Sequence, residues 1–262
     1  MSLYGDIHLS PTSDKWDEQM QVSRRMVGAA AIVLALLFNL AYGGLAAMFN
    51  YPAILRQPAT EVLAQFSAGG PVLILVWYGF ALSALLLVPL APLLAGALLG
   101  DKPFNSIGLG LAITGALAGA LQGIGLARWV FVVPALAAGS TDPAGSAGEK
   151  AVETVFVVLN AYGGVAIGEH LGQLMTVLFL LFGAAAQWRP RGGLAGNWLP
   201  GLAALAAFLV AAGTGEGLAL VLGGDTGPFG LITTSGFLVL SLWLVATGIG
   251  LLLSRPRQSA AI

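Results

Sequence analysis

Cysteine is absent from this 262-residue chain, which excludes disulfides, thiolate metal sites, iron–sulfur clusters and cysteine nucleophiles. Charge is also scarce. Only 9% of the residues are Asp, Glu, Lys or Arg, against about 25% in a soluble domain, too few to cover a water-facing surface. The net charge of −1 lacks the basic footprint of a nucleic-acid binder, so no nucleic-acid partner is expected. Histidine occurs twice, as His8 and His170. The 37 glycines follow no strict triplet, which removes a collagen-like reading.

What is present is apolar. Hydrophobic residues make up 57% of the chain and the mean hydropathy is +0.87. A spanning helix needs about 20 mostly apolar residues, and six stretches qualify, at about 26–49, 71–99, 106–136, 152–186, 198–222 and 231–253. They are apolar on all sides rather than alternating, which argues against barrel strands. The expected fold is all-α: a polytopic transmembrane bundle of six spans occupying residues 26–253, between tails at 1–25 and 254–262. The polar N-terminal stretch, with Asp6, Asp14, Asp17 and Glu18 ahead of Arg24 and Arg25, does not read as a secretory signal. It reads as a tail before an uncleaved first span.

Orientation follows from the basic flanks. With six spans, Lys15, Arg24, Arg25, Lys102, Arg189, Arg191, Arg255 and Arg257 fall on one side, and only Arg56 and Lys150 on the other. Both termini are therefore expected in the cytoplasm. Between spans one and two, Ala59, Val62, Leu63 and Phe66 share a helical face. This predicts a short amphipathic helix at about 58–67 on the outer interface, broken by Gly69-Gly70-Pro71.

Span three carries Gly115, Gly119 and Gly123, and span four Gly164, Gly168 and Gly172. Such stripes let backbones approach closely, and two on consecutive antiparallel helices predict that they pack on each other. A homodimer through either stripe is the rival reading. At 100° per residue, Tyr162, Glu169, Gln173 and Thr176 share one sector of span four, with His170 turned away and Gln122 flanking the stripe of span three. Arg128 and Glu216 lie at similar depths outward of their span midpoints, which predicts an ion pair between them, with Glu169 as the alternative partner. Trp129, beside Arg128, is expected to line an outward-facing cavity.

Intramembrane ionisable residues mark function more often than charged residues elsewhere. The candidate site is therefore Gln122, Arg128, Trp129, Glu169, His170, Gln173 and Glu216, between spans three, four and five. It points to small-molecule binding or proton-coupled transport, since transport sites lie at this depth. Haem, metal or quinone at His170 is an alternative, as is an accessory or sensing subunit whose polar core serves assembly with a membrane partner. His170 and Glu169 form no zinc-hydrolase motif, and no G-x-S-x-G occurs. No catalytic residue, metal site or cofactor is assigned.

Four segments carry a resemblance: Tyr51-Pro-x-Ile-Leu-Arg-x-Pro58, Trp77-Tyr78, Leu121-Gln-x-Ile-Gly-Leu-x-Arg-Trp-Val-Phe-Val-Val-Pro134 and Gly168-Glu-His-Leu-Gly-Gln173. Together they resemble a group of bacterial multi-spanning membrane proteins known as domain of unknown function 4386. The resemblance implies a single six-span domain in a bacterial inner membrane. It implies no activity and no catalytic residue.

Overall fold

The computed structural model describes residues 12–100, 103, 105–139 and 146–254. His8, Lys102, Arg255, Arg257 and most of the third connection lie outside these residues, as does the side chain of Lys15. The described residues are about 90% helical, with no strand among them, and six helices are long and apolar enough to cross a membrane: Ser23–Phe49, Ala59–Leu99, Ser106–Gly139, Ala147–Gln187, Trp198–Leu222 and Gly227–Leu253. We call these spans one to six. The chain is a multi-pass membrane protein.

Each span packs on its neighbours in sequence, and span one closes on span six. The result is a ring of six helices. A ring has a centre that side chains must fill, and the two halves of this bundle fill theirs differently. The half holding the start of span one is solid, with Ala31, Ala91, Leu94, Leu111, Phe179, Ala206 and Trp243 in one contiguous core. Alanines there let helices approach while Phe179 and Trp243 meet edge to face at 5.6 Å. Trp243 also donates to Gln187 Oε1 at 2.8 Å, which satisfies its indole N–H. The opposite half is built on larger aromatics, Phe49, Phe66, Trp77, Phe80 and Trp129.

Four of the spans depart from a straight α-helix, for identifiable reasons. In span two Gly70 adopts φ 58° and ψ −158°, a conformation open essentially to glycine alone. The following Pro71 has no backbone donor. This bend detaches 59–69 as a separate helix that buries Val62, Leu63 and Phe66 against the protein. The expected apolar face is therefore present, but it covers the bundle's own aromatic core. Span four changes character over Asn160–Leu171, which is a π-helix. That stretch is rich in glycine, whose helix propensity is low, and wider turns of this kind recur at functional sites. Spans three and five step at Val132 and Thr214, between Ser106–Phe131 and Val133–Gly139 and between Trp198–Gly213 and Gly215–Leu222.

The glycine stripes are corrected in part. Span four's stripe does face span three: an added Cβ at Gly168 would stand 3.1 Å from Gly125 Cα, and one at Gly172 would stand 2.7 Å from Gln122 Cγ. Span three's stripe faces span two at Gly119, against the Ala84 carbonyl, and at Gly123, against Leu85, while Gly115 sits between Ala91 of span two and Phe179 of span four. Being between two neighbours, span three needs two close-packing faces. Backbone meets backbone toward span four at Gly125, outside the stripe.

Candidate functional site

A cavity of about 610 Å³ occupies the centre of the ring in its aromatic half. All six spans and the connection after span one line it. The site expected between spans three, four and five is thus extended by ring closure, which adds spans one, two and six.

The connection is the main element that the sequence reading left out of the site. After Phe49 the chain turns through Asn50, at φ 49°, and a cis Tyr51-Pro52 bond into a single 3₁₀ turn, Ala53–Arg56. Ile54 is buried and pins this turn to the aromatic core. Arg56, at its end, is thereby directed into the bundle. Its Nη2 donates to Glu169 Oε2 at 2.8 Å and its Nε to Glu216 Oε1 at 2.9 Å. One guanidinium so ties the connection to spans four and five. Burial alone would lower the Arg56 pKa, but Glu169 and Glu216 outweigh it and raise the value above the ordinary one. Burial, reinforced by Glu169, also pushes the Tyr51 phenol up, so Tyr51 is neutral at physiological pH.

The expected Arg128–Glu216 pair does not form, and neither does its Glu169 alternative. Both carboxylates face Arg56. Arg128 instead donates through Nη2 to Asn160 Oδ1 at 3.0 Å and through Nη1 to the Gly125 carbonyl. Equal depth in two helices left the azimuth open, and Arg128 turns toward the π-helical segment of span four. Gly164 makes room for it: a Cβ there would stand 2.5 Å from Arg128 Nη2. The guanidinium carbon lies 5.2 Å from the centroid of Trp129, within cation–π range.

Trp129 has no exposed surface and stacks on Trp77 at 4.7 Å with an interplanar angle of 8°. Tyr51 meets Trp77 and Phe80 edge to face, and Tyr42 shares a hydrogen bond with Thr234 at 3.0 Å. These rings form one wall of the cavity. Gln122, Arg128, Glu169, Gln173 and Glu216 contribute to the other. Gln122 donates to Thr176 Oγ1 at 2.8 Å, linking spans three and four below the charged layer.

His170, turned away on the helical wheel, and Tyr162, which the wheel placed with Glu169, both lie outside the cavity wall. The Nδ1 of His170 lies 3.2 Å from the Thr214 carbonyl where span five steps, and its ring packs beside Gly217. Tyr162 is 69% exposed and faces outward. A π-helix has more residues per turn than an α-helix, so a 100° wheel drifts across Asn160–Leu171 and no longer places Tyr162 with Glu169. Among the described residues, no group of three or more His, Cys, Asp or Glu side chains is arranged to hold a metal ion.

Arg56, Tyr51, Tyr42 and Asn160 belong to the site although the sequence pattern does not assign them to it. Two signals could have found them. Arg56 is one of only two basic residues on its side, between Pro52 and Pro58, and Asn160 is the single asparagine of an apolar span.

Fold and site together define a helical membrane protein with a half-polar, half-aromatic chamber among its spans. The family model described as Domain of unknown function (DUF4386) matches residues 26–248, and the chain belongs to that family. No curated protein and no solved structure matches it.

Proposed function

We propose that this protein binds a small amphipathic molecule in its central chamber, in a bacterial cytoplasmic membrane with both termini inside and the chamber opening outward. One observation carries the reading: a cavity of about 610 Å³ with an aromatic wall facing an ionisable one. Small-molecule sites are commonly about 300–1,000 Å³, mostly apolar, with a few convergent polar groups. The basic flanks support the orientation.

Coupling to protons is the mode the charge balance favours. Arg56, Arg128, Glu169 and Glu216 sum to zero when all are ionised. A negatively charged ligand entering this layer would upset that balance, and uptake of one proton with it would restore neutrality.

Gly230 provides the test. It lines the chamber, and an added Cβ meets nothing within 4 Å. Gly230→Phe is expected to fold normally and to occupy ligand space. Native mass spectrometry from a mild detergent should show a small-molecule adduct on the wild type that is lost in the variant. Adducts of equal mass and occupancy on both would count against the chamber as the binding site.

A further inference from the structure

The chamber has a surplus of unsatisfied donors, and this identifies the kind of ligand it takes. Among the described residues, five side chains hold a buried polar atom without a partner, and four of them belong to residues that line this one cavity: Trp77 through Nε1, Arg128 through Nε, Trp129 through Nε1 and Thr233 through Oγ1. Three of these can only donate. Buried donors without partners are rare, because each forfeits a hydrogen bond that water would have supplied. Their gathering at one cavity calls for acceptors that the protein does not provide.

Arg128 gives the surplus a charge. Its residue is 7% exposed, and its two hydrogen bonds go to neutral oxygens, an amide and a backbone carbonyl. Both carboxylates of the chamber are engaged by Arg56. A guanidinium keeps its proton in proteins, so span three holds a buried cation with no anion in contact. Such a charge within a membrane is costly unless something pairs with it. The neighbouring wall of Phe38, Tyr42, Trp77 and Phe80 suits an apolar body.

We propose that the chamber's ligand is an organic anion, a carboxylate or phosphate carried on an apolar body, with its acidic group at Arg128. This rests on the reading of the chamber as a binding site and adds the ligand's charge. The same chemistry is offered by a soluble aryl acid and by the headgroup of an anionic lipid.

The test uses the full-length protein in nanodiscs of neutral lipid, with Trp fluorescence as the readout because Trp77 and Trp129 lie in the wall. The probes are naphthoate and its uncharged analogue naphthamide. Naphthoate should quench with an affinity ~10–100-fold higher than naphthamide, the range for one hydrogen-bonded charge. In Arg128→Gln that preference should fall to about unity, as expected when a charged partner is lost. If that variant does not fold, Arg128→Lys keeps the charge without the fork, and should retain a preference for naphthoate reduced several-fold. The wild-type comparison stands without either variant. Substituting anionic for neutral lipid in the nanodisc separates the sources: competition with naphthoate assigns the site to a lipid headgroup, and unchanged binding assigns it to a soluble acid. Equal affinity for both probes overturns the anion inference and leaves the chamber as a binding site. Silence from both overturns both.

Discussion

At the scale of single residues, two arginines with the same chemistry have opposite surroundings. Arg56 is shared by two carboxylates, and Arg128 touches none. Truncating Arg56 leaves Glu169 and Glu216 facing each other without a cation, whereas removing one carboxylate leaves Arg56 the other. Arg56→Gln should therefore lower the thermal unfolding temperature in detergent more than Glu169→Gln or Glu216→Gln does. A cost of about 1–3 kcal/mol is expected, below that of a fully buried pair because the side chains are 15–26% exposed. Arg128→Leu should also destabilise. Because Arg128 makes no contact with Glu216, adding Glu216→Leu should not rescue it, and the two effects should add within about 0.5 kcal/mol. Rescue in the double variant would mean that the two side chains pair after all.

At the scale of elements, backbone approach decides which glycines matter. At Gly125 a new Cβ would stand 2.6 Å from Gly168 Cα and 2.9 Å from the Gly163 carbonyl, both backbone atoms that cannot turn aside. Spans three and four would have to separate, so Gly125→Ala should cost about 1–3 kcal/mol and loosen Arg128 from Asn160. Gly123→Ala meets only Leu85 side-chain atoms, which can rotate, and should cost less. At Gly201 nothing lies within 4 Å, and alanine should be neutral or stabilising by up to about 1 kcal/mol through helix propensity. Thermal unfolding of the three variants checks the order. If Gly201→Ala proves as harmful as Gly125→Ala, close approach of spans three and four is not what these glycines secure. The π-helix acts at this scale too: it presents Asn160 to Arg128 and Glu169 to Arg56 from one helix.

At the scale of the whole molecule, the ring is solid in one half and hollow in the other. A chain without cysteine makes this directly measurable, since any thiol introduced is the only one present. Thr234→Cys lies in the chamber wall and Ala206→Cys in the solid half, fully buried. A small polar thiol reagent should modify the first readily and the second only on unfolding. A membrane-impermeant reagent added from outside whole cells should still reach Thr234→Cys in the proposed orientation. Equal labelling at both positions would contradict the asymmetric packing.

Much of this architecture was legible without coordinates. Six apolar runs specify six helices because a membrane core leaves a backbone no other way to satisfy its own hydrogen bonds. The motif residues around Tyr51, Arg128 and Glu169 were visible as polar interruptions of apolar sequence. The apolar face of 59–69 followed from spacing alone, since residues 3 and 4 apart share a helix side. Partner choice was not legible. Depth along a span can be counted at about 1.5 Å per residue, but the direction a side chain faces depends on the helix staying regular, and the π-helix of span four breaks that regularity. The closing of span one on span six, and the folding of Ala53–Arg56 back into the ring, are contacts between residues far apart in the chain. Those contacts gave both carboxylates to Arg56 and left Arg128 facing the chamber without one.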